Sequence, residues 1–229
     1  WSEIDQWATH HVWGRDETGK AFSTAATDHI QHPVNYLNAN TVSVQTTLGV
    51  DINRGQQTGH ELQGSVKVTN QFQAVENGLK ITHTINGQGE DQVYELWATL
   101  PVFLRDTDQD MADTTIEYWN GSHWKMLSTQ LVNTEQLRLT RDFGHGPKSV
   151  YVNFFQTQKI KLSSQVWVQS YQANTRIRNV HIDLRGNAQT IPQAKSLTYT
   201  LSTKSSGYVS IQPQDPVQPE GNSGIKNFQ

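Results

Sequence analysis

Leu62-Gln63-Gly64-Ser65-Val66-Lys67-Val68-Thr69-Asn70-Gln71-Phe72-Gln73-Ala74 decides the fold class. Leu62, Val66, Val68, Phe72 and Ala74 fall in one phase, with Gln63, Ser65, Lys67, Thr69, Gln71 and Gln73 in the other. Successive side chains of a strand point to opposite faces, so this pattern is a strand with one buried face and one in water. Leu197, Tyr199 and Leu201 repeat it against Ser196, Thr198 and Thr200. Past residue 40 nearly every segment alternates in this way, and no stretch of useful length repeats at helical spacing. The chain therefore reads as all-β.

Strands are expected at about 41–48, 62–74, 78–85, 92–104, 114–120, 123–128, 136–142, 149–155, 158–163, 166–172, 177–184 and 196–203. Glu76-Asn77-Gly78, Asn86-Gly87-Gln88-Gly89 and Asn120-Gly121 punctuate them with hairpin chemistry. About a dozen strands without intervening helices fit a large two-sheet antiparallel β-sandwich, and no period of 20–50 residues suggests a propeller or solenoid. The sandwich is expected over 1–203, with 1–40 as a long, partly stranded N-terminal segment packed on it. Residues 204–229, with Pro213, Pro216, Pro219 and Gly221-Asn222-Ser223-Gly224, read as a Pro/Gly-rich tail or linker.

At 229 residues and 34% hydrophobic content the chain is long enough for a full core. A net charge of −3 provides no basic field for nucleic acid. Its apolar runs fall well short of the roughly 18 residues of a membrane helix. Cysteine is absent, which excludes a disulfide framework. The chain opens at Trp1 rather than Met and reads as a processed or excised piece, with no signal peptide visible. Its polar tone, with 17% charged residues, fits a secreted, periplasmic or surface protein of bacterial type.

The densest polar-aromatic cluster is His10-His11-Val12-Trp13-Gly14-Arg15-Asp16. Arg15 suits bidentate pairing with a sugar carboxylate or sulfate, His11 adds a polar grip, and Trp13 offers a ring for stacking. The bland alternative is a strand whose Trp13 plugs the core. Adjacent histidines on a strand point to opposite faces, which argues against a shared zinc. Tyr118, Trp119, His123 and Trp124 flank the Asn120-Gly121 turn, where Trp119 and Trp124 are either sugar platforms or a cross-strand lock. Tyr151, Asn153 and Phe155 alternate with Val150, Val152 and Phe154, and Trp167, Gln169 and Tyr171 with Val166, Val168 and Ser170. If these strands are neighbours, one face presents Trp167 and Tyr171 in a glycan groove; burial on both faces is the competing reading. Asp106, Asp108 and Asp110 supply hard oxygen ligands at alternate positions, the composition of a structural Ca²⁺ loop, although the EF-hand glycine and terminal glutamate are missing. His181 shares a phase with Asp183, an arrangement seen in acid–base couples and on ordinary surfaces. His83, in phase with Leu79, Ile81 and Ile85, reads as a core histidine.

Asp91 to Leu104, Thr115-Ile116-Glu117-Tyr118-Trp119 and Arg138-Leu139-Thr140-Arg141-Asp142 resemble the large β-sandwich that follows the helical toroid in heparinase II/III-type polysaccharide lyases, and related carbohydrate-binding modules. In such lyases the proton-abstracting Tyr and His lie mainly in the toroid, so no residue here is matched to them. The resemblance implies an accessory, carbohydrate-binding domain, partnered by a polysaccharide and by a catalytic domain of the same parent chain. The residues leave three functions open: a non-catalytic module binding an acidic polysaccharide, a β-sandwich lyase acting on a uronate-containing glycan, and a structural or adhesive surface domain. For the lyase, His11, Arg15, Arg178 and His181 have suitable chemistry, but the spacing does not bring them together.

Overall fold

The computed structural model describes residues 11–16, 21–24, 34–50, 66–87, 93–105, 113–168, 176–186 and 195–205. Fifteen strands run through them: β1 (His11–Arg15), β2 (Ala21–Ser23), β3 (Val34–Asn38), β4 (Thr41–Thr47), β5 (Gly49–Val50), β6 (Lys67–Val75), β7 (Gly78–Asn86) and β8 (Glu95–Arg105). They continue with β9 (Thr115–Trp119), β10 (Trp124–Met126), β11 (Val132–Asp142), β12 (Pro147–Leu162), β13 (Trp167–Val168), β14 (Arg176–Asp183) and β15 (Lys195–Ser202). The described residues contain no helix, and the all-β expectation holds.

Hydrogen bonding is continuous along the order β3-β4-β6-β7-β15-β12-β14-β8-β1-β2-β5, so the strands form one sheet rather than two separate ones. β9, β10 and β11 branch from β12, and β13 pairs with β14. The sheet stays continuous because of β12. Its residues 151–154 pair with β15 and its residues 160–162 with β14. Between these stretches, Thr134 of β11 pairs with Gln158 while Gln136 pairs with Asn153, so β12 bulges over 154–157. A bulge bends its strand and raises the local twist. The sequence, read as two strands at 149–155 and 158–163, is here one bent strand.

Val68, Ile81, Ile85, Leu197 and Tyr199 belong to the same buried cluster as Val12, Leu96, Leu100, Val180 and Ile182. The first group comes from one stretch of the path and the second from another, so the sheet curls over a single core. His11–Arg15 is not laid over the body: β1 is an interior strand, bonded to β8 on one side and β2 on the other. The β6–β7 turn places Asn77 at φ 67°, a left-handed position that asparagine tolerates better than most residues. Gly78 has a different task. A Cβ there would lie 1.9 Å from the Leu201 carbonyl oxygen, so β15 packs where no side chain fits.

Candidate functional site

Four adjacent strands, β12, β14, β8 and β1, set a polar-aromatic surface opposite the core. Even-numbered residues of β8 and β14 (Leu96, Ala98, Leu100, Val180, Ile182) enter the core, leaving the odd-numbered ones outward. Register then fixes the neighbours. Lys161 stands opposite His181, and His181 opposite Thr99. Asp183 stands opposite Trp97, Trp97 opposite Trp13, and Glu95 opposite Arg15. On this face lies a cleft of about 310 Å³, lined by Trp13, Arg15, Glu95, Lys161, Asn179 and His181 and rimmed by Thr129 and the 163–165 segment.

His181 is 7% exposed. Its ring meets Trp13 edge-on at 5.3 Å and stacks on Trp97 at 5.7 Å with 29° between planes. The Lys161 ammonium sits 4.3 Å from the Trp97 ring centre, and the Arg15 guanidinium 5.9 Å from that of Trp13. Glu95 organises one wall, accepting a hydrogen bond from the Trp97 indole N–H at 2.8 Å and pairing with Arg15 at 3.5 Å. Arg15 is thereby neutralised. Lys161 has no carboxylate within ion-pair distance among the described residues, so their share of the cleft carries one unbalanced positive charge.

Asn179 is 1% exposed. Ser163 fixes its backbone: the Ser163 N–H donates to the Asn179 carbonyl at 2.9 Å, and the Asn179 N–H donates to Ser163 Oγ at 3.3 Å. The side-chain Oδ1 of Asn179 accepts no hydrogen bond among the described residues. Asp183 is already committed, its Oδ1 accepting from the N–H groups of Arg185 and Gly186 in the following turn. A His181–Asp183 couple is therefore not what the geometry builds.

The sequence-derived candidates divide among several places. Trp13 and Arg15 share the cleft, and His11 stands beside them in β1, opposite Thr99. Trp13 is 7% exposed, so its margin rather than an open ring face borders the cleft. Trp119 and Trp124 lie on another stretch of the sheet, across the β9–β10 hairpin, with ring centres 5.5 Å apart. Tyr151 completes that group at 6.1 Å from Trp124. Arg138 lies over Trp124 at 4.7 Å and pairs with Glu117 at 2.7 Å. The hydrogen bond to Glu117 holds the guanidinium pKa above its ordinary value, against a smaller lowering from desolvation. Trp167 is in β13, paired with β14 opposite Ile177, whereas Tyr151 is in β12, whose partners are β11, β14 and β15. Among the described residues, then, β12 and β13 are not the neighbouring strands that the expected groove requires. Tyr171, Asp106, Asp108 and Asp110 lie outside the described residues. Asp113, just beyond the acidic run, pairs with Arg176 at 3.4 Å.

Glu95, Trp97 and Lys161 are not among the candidates that the sequence offers, and Asn179 is legible there only as sharing the phase of His181 and Asp183. Each sits in the polar phase of a strand, but their convergence depends on the β12-β14-β8-β1 order, which pairs residues far apart in the chain. The one signal available was Trp97, a large ring in a strand where both phases carry bulk.

No family model matches the chain, and no curated protein matches it. Among solved structures, a 4-alpha-glucanotransferase from Thermococcus litoralis aligns at 8% identity with a TM-score of 0.48, over 85% of this chain and 27% of that one. A galactose mutarotase-like protein from Lactobacillus casei aligns at 9% identity with a TM-score of 0.42, over 87% of each chain. This chain thus spans about a quarter of the glucanotransferase and most of the mutarotase-like protein. Neither is a heparinase-type lyase.

Proposed function

We propose that this chain is a non-catalytic carbohydrate-binding β-domain that holds an acidic polysaccharide in the cleft between β1, β8, β14 and β12, as an exported accessory to a polysaccharide-degrading enzyme. The observation that carries this reading is the charge balance of the cleft: Glu95 neutralises Arg15, while the Lys161 ammonium over Trp97 has no carboxylate within ion-pair distance among the described residues. The margin of Trp13 gives the cleft an apolar edge for a pyranose, and the Lys161 ammonium suits its carboxylate or sulfate. A cleft of about 310 Å³ is at the small end for ligand sites, which favours recognition of a short stretch of the polymer.

Calorimetric titration with oligouronates and with neutral oligosaccharides of equal length tests this reading. The acidic series is expected to bind and to weaken as salt is raised. Lys161→Met is expected to weaken acidic ligands at least about tenfold, by removing a charge-assisted contact worth about 1.5–3 kcal/mol. Equal binding of neutral and acidic ligands, or binding of neither, rejects the proposal.

A second reading, uronate β-elimination, draws on one observation: His181 shares the cleft with Arg15 and Lys161. In that reaction a base takes the C5 proton, the electron pair closes the C4=C5 double bond, and the C4–O bond breaks. Absorbance from new unsaturated ends on incubating the chain with polyuronate would favour it over a pure binding role.

A further inference from the structure

We infer that Asn179 reads a free hydroxyl of the sugar held in the cleft, so that the ligand is a hydroxy acid left unesterified at that position. The inference rests on the acidic-polysaccharide reading above and adds which substituent beside the anion is inspected.

The starting point is a missing partner. Asn179 is 1% exposed and lines the cleft, yet its Oδ1 accepts no hydrogen bond among the described residues. A buried acceptor without a donor costs about 1–3 kcal/mol, and buried polar side chains generally have a partner. The backbone of Asn179 is not free to move and relieve this. Its N–H and carbonyl are both tied to Ser163, whose hydroxyl in turn donates to the Gln165 carbonyl at 2.7 Å. The side chain is therefore held at the floor, with only the terminal amide torsion soft. A donor arriving from the cleft removes the cost.

Position then selects the donor. Asn179 and His181 are two residues apart on β14, and Lys161 stands opposite His181 on β12. Lys161 and Asn179 line the same cleft, so a sugar that fills it meets both the ammonium, with its anion, and the Asn179 amide, with a hydroxyl. Arg15 is a weaker second anion reader, since the Glu95 carboxylate 3.5 Å from its Nε already offsets its charge. A site built to receive a hydroxyl hydrogen discriminates strongly, because a ligand lacking that hydrogen leaves the buried acceptor unpaired. An O-acetyl or O-sulfate group at that oxygen removes the donor and adds bulk against an enclosed floor.

The test is titration of the wild-type chain with one polyuronate in two forms, partly O-acetylated and fully deacetylated, alongside Asn179→Ala. Deacetylation is expected to tighten wild-type binding about tenfold, and Asn179→Ala is expected to bind both forms equally weakly. Thermal melting of the variant confirms that it is folded, and the acetylation comparison on the wild type stands without any variant. If the wild type binds no acidic polymer, the proposed function itself falls. If it binds both forms equally, or if folded Asn179→Ala retains full affinity and preference, the hydroxyl-reading role alone is overturned.

Discussion

Gly14→Ala is expected to destabilise the chain by about 3 kcal/mol and to weaken acidic-ligand binding at the same time. The sign is the informative part. Glycine within a strand is normally a liability, and alanine there is expected to gain about 0.5–1 kcal/mol from lower chain entropy in the unfolded state. At position 14 geometry opposes that gain. A Cβ would lie 2.2 Å from the Glu95 carbonyl oxygen and 2.8 Å from the Phe22 ring. The carbonyl belongs to the backbone of β8, and Phe22 is 1% exposed in the core, so neither can simply swing aside. Relief requires β1 to move against β8, and that pairing aligns Trp13 with Trp97 and Arg15 with Glu95. The clash term exceeds the propensity term several-fold, so destabilisation wins. Denaturant unfolding and ligand titration of the same variant check it. A neutral or stabilising result would mean that β1 does not sit in this register, and the cleft wall described above would fall with it.

The same glycine shows which parts of the molecule were legible in the sequence. Alternation is a sound guide wherever a strand has one wet face: Gly78–Asn86 and Lys195–Ser202 lie within a residue of the expected 78–85 and 196–203, and Lys67–Val75 ends within a residue of the expected 62–74, whose first four residues lie outside the described ones. Asn77 was recognised as turn chemistry, and its left-handed backbone agrees. Gly78 was read with it as turn chemistry, but the contact with Leu201 that excludes a side chain comes from β15, more than a hundred residues later. Periodicity reports the local face and is silent about the neighbour across it. For that reason Trp13 and Arg15 are recognisable as interesting residues, while the convergence of Glu95, Lys161 and Asn179 on them in one cleft is not. The single bent β12 was missed for a related reason. Its bulge interrupts the alternation at 154–157, and a break in phase looks like a loop when the partner strands are unknown.

A second large effect is expected deep in the other half of the sheet, where a polar trio crosses three strands. His83 and Tyr199 are fully buried and Asn70 nearly so. His83 Nδ1 lies 2.7 Å from Asn70 Oδ1, and its Nε2 lies 3.3 Å from the Tyr199 hydroxyl. His83→Ala removes a buried ring and strips a partner from both neighbours, so a loss of about 4 kcal/mol is expected from the cavity and the orphaned groups together. Tyr199→Phe removes the long hydrogen bond to His83 and keeps the ring, for about 1 kcal/mol. Combined, the two changes should cost less than their sum, because the second removes a contact already lost with the first. Strict additivity in that cycle would show that the ring and the phenol do not interact. Tyr199 also gives the stability a pH signature. Burial pushes its phenol pKa well above the ordinary value of about 10. The unfolded chain releases this proton from about pH 10 upward while the folded chain keeps it, so the folded state binds more protons there and stability falls with rising pH. Below about pH 10 the contribution is intact. Wild type and Tyr199→Phe should therefore show parallel unfolding free energies up to about pH 9 and converge above about pH 10, since the variant has no proton to lose at this position. The remaining tyrosines titrate in both chains and cancel in the difference. A gap that stays constant through pH 11 would place the phenol in contact with solvent and remove Tyr199 from the core.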